Sequence, residues 1–327
     1  MKVVTFSDFG GPEVFRVESV PTPEPGAGEV RIRVAGAGVN RADVLQRQGH
    51  YPPPDGAPAW PGLEVSGVVD AVGPGVTNVS HGDAVCALLA GGGYADHCLA
   101  AAGLVLPVPA GVDMVGAAGL VEAACTVWSN LRGAGARPGD SVLIHGGSGG
   151  VGSLAIQIAK AAGLHVLTTS RGPERTERCA SLGADVAIDY IEDDFEAIAE
   201  AEGGVDIILD ILGAVYLDRN IRALAPGGRL VVLGLQGGSR AEIDLSALLA
   251  KHAAIAGTTL RGRPLEQKEA IVADVRDSVW PWIPGEVSPV IGATFALEDA
   301  AAAHEALETG DVFGKIVLTT SDAPTTA

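Results

Sequence analysis

Hydrophobic and polar positions follow two different patterns along this chain. In the first part, apolar and charged side chains alternate, as in residues 29–34, where every second side chain is apolar. This alternation predicts half-buried antiparallel strands, with further strands at 64–72 and 83–88 between turns rich in Pro and Gly. One short helix is predicted at 40–48, with Asn40 as its N-cap. The pattern therefore predicts a β-rich domain.

From about residue 121, apolar runs of strand length recur at intervals of roughly 20 to 25 residues, with helical patterns between them. This alternation is typical of βαβ units around a parallel sheet. Strands are predicted at 141–145, 165–170, 185–189, 206–209, 229–233 and 254–260. Helices are predicted between them at 154–162, 174–182, 194–200, 215–223 and 246–251. The second part is therefore predicted to be an α/β domain.

The last part of the chain has a helical pattern at 298–309 and a strand pattern at 315–319. We expect it to return to the first domain, and we expect the tail, 321–327, to be disordered. The predicted domains are 1–120, 121–260 and a return segment at 261–327 that completes the first domain.

A glycine-rich turn separates the first strand of the α/β part from its helix. Glycines occupy the three positions of a G-x-G-x-x-G pattern: Gly147, Gly149 and Gly152. The residues between them are Ser148, Gly150 and Val151. Glycines let the backbone approach a pyrophosphate, and the helix offers unpaired N–H groups and the positive end of its dipole. In this strand–turn–helix context the pattern predicts dinucleotide binding; the alternative is a glycine-rich turn without a ligand.

The end of the second predicted strand indicates which dinucleotide binds. Dinucleotide folds that prefer NAD carry a carboxylate about 20 residues after the glycines, where it binds the ribose 2′-hydroxyl. Here no Asp or Glu lies between Gly152 and Pro173, and Ser170, Arg171 and Arg175 follow the strand instead. Arginine pairs with a 2′-phosphate, so NADPH is the predicted cofactor. Alternatively, the arginines only solubilise the start of a helix.

Composition excludes several classes of protein. The net charge of −18 argues against nucleic acid and anionic lipid as partners. The four cysteines are scattered without a C-x-x-C pair, which argues against a disulfide framework and a cysteine-built zinc lobe. No apolar run reaches the ~18 residues of a membrane span, and the N-terminus lacks the pattern of a signal peptide. We therefore expect a cytoplasmic protein with no membrane partner.

Several segments together resemble the zinc-independent branch of the medium-chain dehydrogenase/reductase superfamily. The resemblance is to the NADPH:quinone oxidoreductases (zeta-crystallin-like), above all to the p53-inducible quinone oxidoreductase subgroup. It rests on NRADVLQRQGHY (40–51), GLEVSG (62–67), ALLAGGGY (87–94), VLIHGGSGGVG (142–152), ILDILG (208–213), LGLQGG (233–238), LRGR (260–263) and GKIVL (314–318). It implies a GroES-like catalytic domain, a Rossmann domain with a doubly wound parallel sheet, and a cleft between them. It also implies a homodimer formed through edge strands near 254–260.

The chain departs from the zinc alcohol dehydrogenases at the positions of their metal ligands. Where those enzymes carry Cys and then His-Glu, this chain has Asn40 and then Leu63-Glu64, and its seven histidines are dispersed. Zinc sites commonly need Cys or His among about four ligands, so no metal is predicted.

The resemblance also implies candidate site residues. Those expected beside the nicotinamide are Asn40, Asp43, Gln46 and Tyr51. The Asn40 amide could donate to a substrate carbonyl oxygen, and Tyr51 could donate or stack on a flat ring. The alternatives are that Asn40 only caps a helix, that Asp43 only favours the helix start, and that Tyr51 is a turn aromatic.

Further cofactor contacts are expected elsewhere in the chain. Thr126 is a candidate for the carboxamide, and Tyr190 for the adenine side. The remaining candidates are Gly213, Gly234, Leu235, Leu260 and Arg261 along the nicotinamide channel, with Phe313 and Lys315 closing over the cofactor. Their alternative roles are turn geometry for the glycines and core packing for the aromatic residues.

These expectations predict hydride transfer from NADPH to a quinone without a metal. One alternative is a 2-enoyl reductase acting on an enone or an enoyl thioester, in which Tyr51 would supply a proton. The other is an NADPH-binding sensor with little turnover.

Overall fold

The structure is a computed structural model that describes residues 1–321. The predicted disordered tail, apart from Ser321, lies outside these residues. The strands are β1 Lys2–Thr5, β2 Arg16–Ser19, β3 Glu29–Val39, β4 Glu64–Val72, β5 Ala84–Leu88, β6 His97–Ala101, β7 Val105–Pro107, β8 Ser141–His145, β9 His165–Ser170, β10 Val186–Asp189, β11 Val205–Asp210, β12 Leu224–Val232, β13 Ala254–Gly257, β14 Ile291–Ala296 and β15 Lys315–Thr319. The helices are α1 Arg41–Arg47, α2 Met114–Ala117, α3 Val121–Gly133, α4 Gly150–Ala161, α5 Pro173–Ser181, α6 Phe195–Ala201, α7 Leu217–Ala223, α8 Leu245–Lys251, α9 Leu265–Ser278 and α10 Ala300–Thr309.

The chain divides into two compact units. The first contains Met1–Cys125 and the chain from Leu260 onward, and the second contains Thr126–Thr259. Helix α3 crosses the boundary between them.

The second unit is built on a six-stranded parallel sheet in the order β10-β9-β8-β11-β12-β13. Its strands are short and apolar, because a parallel sheet is covered on both faces; Leu143, Leu167, Ile208 and Leu230 are fully buried. In chain order the strands stand 3-2-1-4-5-6, the arrangement of dinucleotide-binding sheets. This confirms the predicted parallel α/β fold.

The first unit is built on a mostly antiparallel sheet in the order β14-β15-β3-β4-β5-β7, with β6 also paired to β3. The apolar residues of the alternating stretch, Val30, Ile32 and Val34, enter its core as predicted. Strand β15 pairs antiparallel with β3, so residues 316–319 lie beside residues 36–39. The prediction of a β-rich domain is confirmed.

Two long helices, α3 and α9, lie where no helix was predicted. The face of α3 that packs inward is built largely from small residues such as Ala123 and Ala124, which give a weak hydrophobic pattern. Helix α9 has two fully enclosed apolar positions, Val272 and Val275, among many charged ones. Among residues 1–321, no helix combines the length and apolar character needed to cross a bilayer.

Candidate cofactor and substrate sites

The glycine-rich turn joins β8 to α4 in the second unit. Gly146 has a positive φ of 77°, and the N–H of Gly147 donates to the carbonyl of Thr169 at 2.9 Å. A Cβ on Gly152 would lie 2.1 Å from the Gly146 carbonyl oxygen, and one on Gly147 would lie 2.1 Å from Thr168 Oγ1. Packing within the protein therefore requires glycine at 147 and 152, with or without a ligand.

Gly149 is different, because no described atom lies close enough to exclude a side chain at this position. Its φ is −82°, and the nearest atom to an added Cβ is the Gly146 carbonyl oxygen at 3.5 Å. Gly149 is the N-cap of α4, whose first-turn amides at 150–152 have no carbonyl partner within the helix. Residues 148–151 are half-buried, whereas residues 142–145 of the preceding strand are buried. The turn therefore leaves backbone N–H groups and an uncrowded glycine on the side open to an anion.

The carboxyl end of β9 holds the candidates for nucleotide choice. Arg171 is exposed and Arg175 is half-buried, whereas Ser170 is buried and its hydroxyl contacts Thr176 Oγ1 at 2.9 Å. A carboxylate also lies here that the spacing rule did not identify. Asp189 pairs in register with Ser170 on the neighbouring strand β10, and its Oδ1 accepts the N–H of Gly172 at 2.9 Å.

Other predicted cofactor residues lie elsewhere in the second unit. Gly213 and Gly234 follow β11 and β12, so they lie at the same edge of the sheet as the glycine-rich turn. Leu235 is 57% exposed and Tyr190 is 41% exposed, while Thr126 is half-buried in α3.

His145, the last residue of β8, is linked to the glycine-rich turn through the hydroxyl of Thr169. Burial lowers its pKa to about 4, so the ring is neutral at neutral pH. Its Nδ1 lies 3.1 Å from Thr169 Oγ1, and its Nε2 lies 2.8 Å from Asn220 Oδ1. Since Asn220 Oδ1 only accepts, Nε2 carries the ring proton and Thr169 donates to Nδ1. The same Thr169 oxygen accepts the N–H of Gly146 at 3.3 Å, which ties the histidine to the turn.

This histidine makes stability depend on pH. An unfolded histidine binds a proton near its ordinary pKa of about 6.5. Folded His145 stays neutral down to about pH 4, so its contribution to the free energy of unfolding is complete above about pH 6.5 and is lost as the pH falls. The full lowering of the His145 pKa corresponds to roughly 3 kcal/mol in the free energy of unfolding, of which roughly 1 kcal/mol is lost by pH 5.5. We expect His145→Gln to lose less stability than the wild type between about pH 8 and pH 5.5 in urea unfolding. Equal losses in the two proteins would contradict this role.

The first unit contains a buried polar cluster around the start of α1. Asn40 is the N-cap of α1: the Asp43 side chain accepts the N–H of Asn40, and the Asn40 backbone carbonyl accepts the N–H of Asp43 at 2.9 Å. The Asn40 Nδ2 donates to Glu64 Oε1 at 3.0 Å and to the Gly38 carbonyl at 3.3 Å, while its Oδ1 accepts Lys315 Nζ at 2.6 Å. The amide is therefore engaged at both ends. Donation to a substrate stays a prediction, and it requires one of these contacts to break.

Asp43 is enclosed rather than directed at open space. Its Oδ2 accepts the N–H of Asn40 at 2.8 Å and the Tyr94 hydroxyl at 3.3 Å, and its Oδ1 accepts the N–H of Gly62 at 3.0 Å. Burial raises the pKa of Asp43 to about 6, although the two backbone N–H groups oppose the shift. The carboxylate thus joins the start of α1 to the loop at residue 62.

No sequence pattern predicted the hydrogen-bonded chain of Arg47, His304 and Tyr94 that ends at Asp43. Arg47 Nη1 lies 3.4 Å from His304 Nδ1, and His304 Nε2 lies 3.0 Å from the Tyr94 hydroxyl. Arg47 only donates, so Nδ1 accepts and Nε2 carries the ring proton. Burial lowers the pKa of His304 to about 3, which keeps the ring neutral. Each group therefore donates a hydrogen bond to the next one, and the chain ends at Asp43. At its other end, Arg47 Nη2 donates to Glu308 Oε1 at 2.9 Å and to Oε2 at 2.8 Å.

Gln46, Arg261 and Tyr51 form a second group in this unit. Gln46 donates to the Ala59 carbonyl at 2.8 Å and accepts Arg261 Nη2 at 2.7 Å. The Arg261 guanidinium lies 5.4 Å from the centroid of the Tyr51 ring. Burial raises the pKa of Tyr51, which keeps its hydroxyl protonated. Of the other predicted residues, Leu260 is half-buried, while Phe313 and Lys315 are buried.

Comparison with known proteins identifies both halves of the chain. Residues 26–131 match the family model described as alcohol dehydrogenase GroES-like domain, and residues 150–274 match zinc-binding dehydrogenase. The quinone oxidoreductase of Rattus norvegicus is 34% identical over 325 residues, 97% of each chain. The structure of the quinone oxidoreductase from Thermus thermophilus, also solved with NADPH, is 33% identical, with a TM-score of 0.85 over 98% of this chain and 100% of that one. A phenolphthiocerol/phthiocerol polyketide synthase component of Mycobacterium tuberculosis is 34% identical over 318 residues, 94% of this chain but 14% of that protein.

The second family description raises the question of a metal. Within residues 1–321, no three His, Cys, Asp or Glu side chains form a group that could hold one. Glu64 Oε1 is bound to Lys315 Nζ at 2.5 Å, so this carboxylate already has a positively charged partner. A zinc site needs about four grouped ligands, and the described residues around the paired Glu64 do not fit that need.

The fold, the strand order of the parallel sheet and the relatives matched over nearly their whole length all indicate the same family. The chain belongs to the quinone oxidoreductase family of the medium-chain dehydrogenase/reductase superfamily and is an oxidoreductase.

Proposed function

We propose that this protein reduces quinones with NADPH by hydride transfer, without a metal. The observation that carries the proposal is the glycine-rich turn, where Gly149 leaves an uncrowded space beside the unpaired amides of α4. Bound NADPH supplies the hydride. The complex of the Thermus relative with NADPH supports this cofactor, and the unsuitable donor set within residues 1–321 supports a reaction without zinc.

The proposed preference for NADPH rests on Arg171 and Arg175. Their guanidinium groups would pair with a 2′-phosphate, which NADH lacks. We expect Arg171→Ala combined with Arg175→Ala to raise KM for NADPH by about tenfold or more, the loss of a charge-assisted contact, with little change for NADH. Steady-state kinetics with both cofactors measures this. Equal effects on the two would refute the assignment.

The residues of the first unit suit a quinone acceptor. Asp43 is enclosed by donors and His304 is neutral, so neither provides a free strong acid. A reduced quinone needs only weak proton donors, since water or the protonated Tyr51 hydroxyl is sufficient. In our proposal Gln46 and Arg261 hold Tyr51 in place, while Asn40 lines the site.

The oxidation of NADPH tests the proposal directly. The absorbance of NADPH should fall rapidly with ortho- and para-quinones, and a chelator should not slow the reaction. Preference for enones or enoyl thioesters would assign the second candidate function. Tight NADPH binding without turnover of any acceptor would assign a sensor.

The 2-enoyl reductase is the second candidate because the chain also matches a segment of a polyketide synthase. That reaction needs a proton at the α-carbon, and Tyr51 is the donor that we assign to it in the first unit. Activity of Tyr51→Phe separates the two: quinone reduction should survive, whereas enoyl reduction should fall by about 100-fold or more.

We further propose that the protein is a cytoplasmic homodimer. We also propose that the predicted domains, 1–120 with 261–327 and 121–260, are its functional units. Strand β13 is an exposed sheet edge, with Leu249 73% and Ile255 37% exposed near it, so two copies could pair there. The four cysteines are unpaired and buried, as expected in a reducing compartment. Sedimentation at twice the chain mass is the expected result.

A further inference from the structure

The short helix α1 carries two buried residues of opposite charge, Asp43 and Arg47, four positions apart. Charges at this spacing commonly pair directly on a helix. Here two neutral groups from distant segments join them. His304, on α10, lies 3.4 Å from Arg47 Nη1, and the Tyr94 hydroxyl, between β5 and β6, lies 3.3 Å from Asp43 Oδ2. His304 and Tyr94 meet at 3.0 Å, so these four side chains form a closed set of hydrogen bonds with the helix, the α1 clamp.

Both charged residues of the α1 clamp are also tied to other segments. Arg47 Nε donates to the Gly10 carbonyl at 3.1 Å, and the N–H of Gly10 donates to the Arg47 carbonyl at 3.2 Å. Asp43 Oδ1 accepts the N–H of Gly62 at 3.0 Å. Asp43 is the third residue of α1 and Arg47 is the last. A rotation of α1 about its axis would therefore break hydrogen bonds in both of its turns.

A helix as short as α1 depends on contacts of this kind. Its seven residues form about two turns, too few for a helix to be stable by itself in water. All four side chains of the α1 clamp are fully buried, so water cannot replace a hydrogen bond that is lost. The position of α1 therefore depends on the α1 clamp.

Two residues of the proposed quinone site are attached to α1. Gln46 belongs to the helix, and its Oε1 accepts Arg261 Nη2 at 2.7 Å. Tyr51 follows the helix, and its N–H donates to the carbonyl of Leu45 in α1 at 3.2 Å. A change in the position of α1 would therefore move Gln46 and Tyr51 together.

We propose that His304 and Tyr94 are positioning residues, which hold α1 and with it Gln46 and Tyr51 in place for the quinone. The proposal rests on the proposed function, in which Gln46 and Tyr51 belong to the substrate site. His304 and Tyr94 are fully buried, so both act through α1 and not by touching the substrate.

Hydrogen exchange tests the positioning without turnover. In Tyr94→Phe and in His304→Leu, the backbone amides of residues 44–51 should exchange about tenfold faster than in the wild type, because α1 opens more often. Exchange in the second unit should not change. His304→Gln should keep the wild-type protection, since its amide can accept from Arg47 and donate to Tyr94 as the neutral imidazole does. Wild-type protection in both Tyr94→Phe and His304→Leu would overturn the proposal, as would equal losses in His304→Gln and His304→Leu.

Kinetics with 1,2-naphthoquinone is the second test. Tyr94→Phe and His304→Leu should each raise KM for this quinone by about tenfold, while the dissociation constant of NADPH stays within about twofold of the wild type. The double variant should cost no more than the worse single variant, because either change already opens the α1 clamp. A dissociation constant of NADPH that rises as much as KM would mean a general loss of structure and would overturn the proposal.

Val69→Ala is the control for lost stability. Val69 is fully buried in the core of the same unit, so its truncation should lower Tm and leave KM for 1,2-naphthoquinone unchanged. A similar rise in KM in Val69→Ala would refute the positioning role. If the wild type reduces no quinone but the exchange of residues 44–51 still depends on His304 and Tyr94, the proposed function fails and the control of α1 by the clamp stands.

Discussion

Replacing Gly152 with alanine is expected to weaken NADPH binding by on the order of 100-fold. The new Cβ would lie 2.1 Å from the Gly146 carbonyl oxygen and 2.7 Å from Gly147 Cα. Both are backbone atoms, so the clash cannot be relieved by rotating a side chain. The turn would have to open, and the amides at the start of α4 would lose their alignment with the phosphates. Fluorescence titration with NADPH measures the loss.

Gly149→Ala is the matched control, because the methyl group meets no described atom closer than 3.5 Å. Its φ of −82° suits any residue. We expect Gly149→Ala to keep the wild-type Tm, whereas Gly152→Ala should lower it. Weaker NADPH binding by Gly149→Ala at unchanged Tm would show that the cofactor approaches this residue. Wild-type affinity in Gly152→Ala would refute the proposed site.

Replacing Lys315 with methionine is expected to lower the free energy of unfolding by about 3–5 kcal/mol. Glu64 is 1% exposed, and its Oε1 accepts Lys315 Nζ at 2.5 Å. Its Oε2 accepts the N–H of Glu122 at 3.0 Å. Without the ammonium group, the buried carboxylate would be left with only neutral donors around it. Urea unfolding monitored by circular dichroism measures the change.

Two variants isolate the cause. Adding Glu64→Gln to Lys315→Met removes the orphaned charge, so the double variant should recover part of the lost stability. Lys160→Met breaks the partly exposed pair with Asp185, in which the lysine side chain is 48% exposed, and should cost less than about 1 kcal/mol. Similar losses in Lys160→Met and Lys315→Met would contradict an effect of burial.

Local features of the sequence determined most of the second unit. Strands 141–145 and 165–170 have the predicted bounds because their apolar runs end at turn residues. Strand β12 begins at Leu224, five residues before its predicted start, since the Pro-Gly-Gly at 226–228 resembled a turn. The glycine-rich turn was equally local: glycine is required there by neighbours within one strand–turn–helix unit and the strand beside it.

The first unit shows what a linear pattern leaves open. Asn40 was recognised as a helix cap because capping involves residues three positions apart. Its contact with Lys315 joins residues 275 positions apart, and that between Tyr94 and His304 joins residues 210 apart. Such pairs form because β15 returns beside β3 and α10 packs against the same sheet.

The sequence by itself determined the alternation of strands and helices, the glycine-rich turn between β8 and α4, and the lack of metal-ligand spacing. Each depends on neighbours along the chain. Only the tertiary structure decided that the amide of Asn40 is engaged at both ends and that Asp43 is enclosed. Burial and charge pairing depend on which distant segments meet, and no local pattern encodes that meeting.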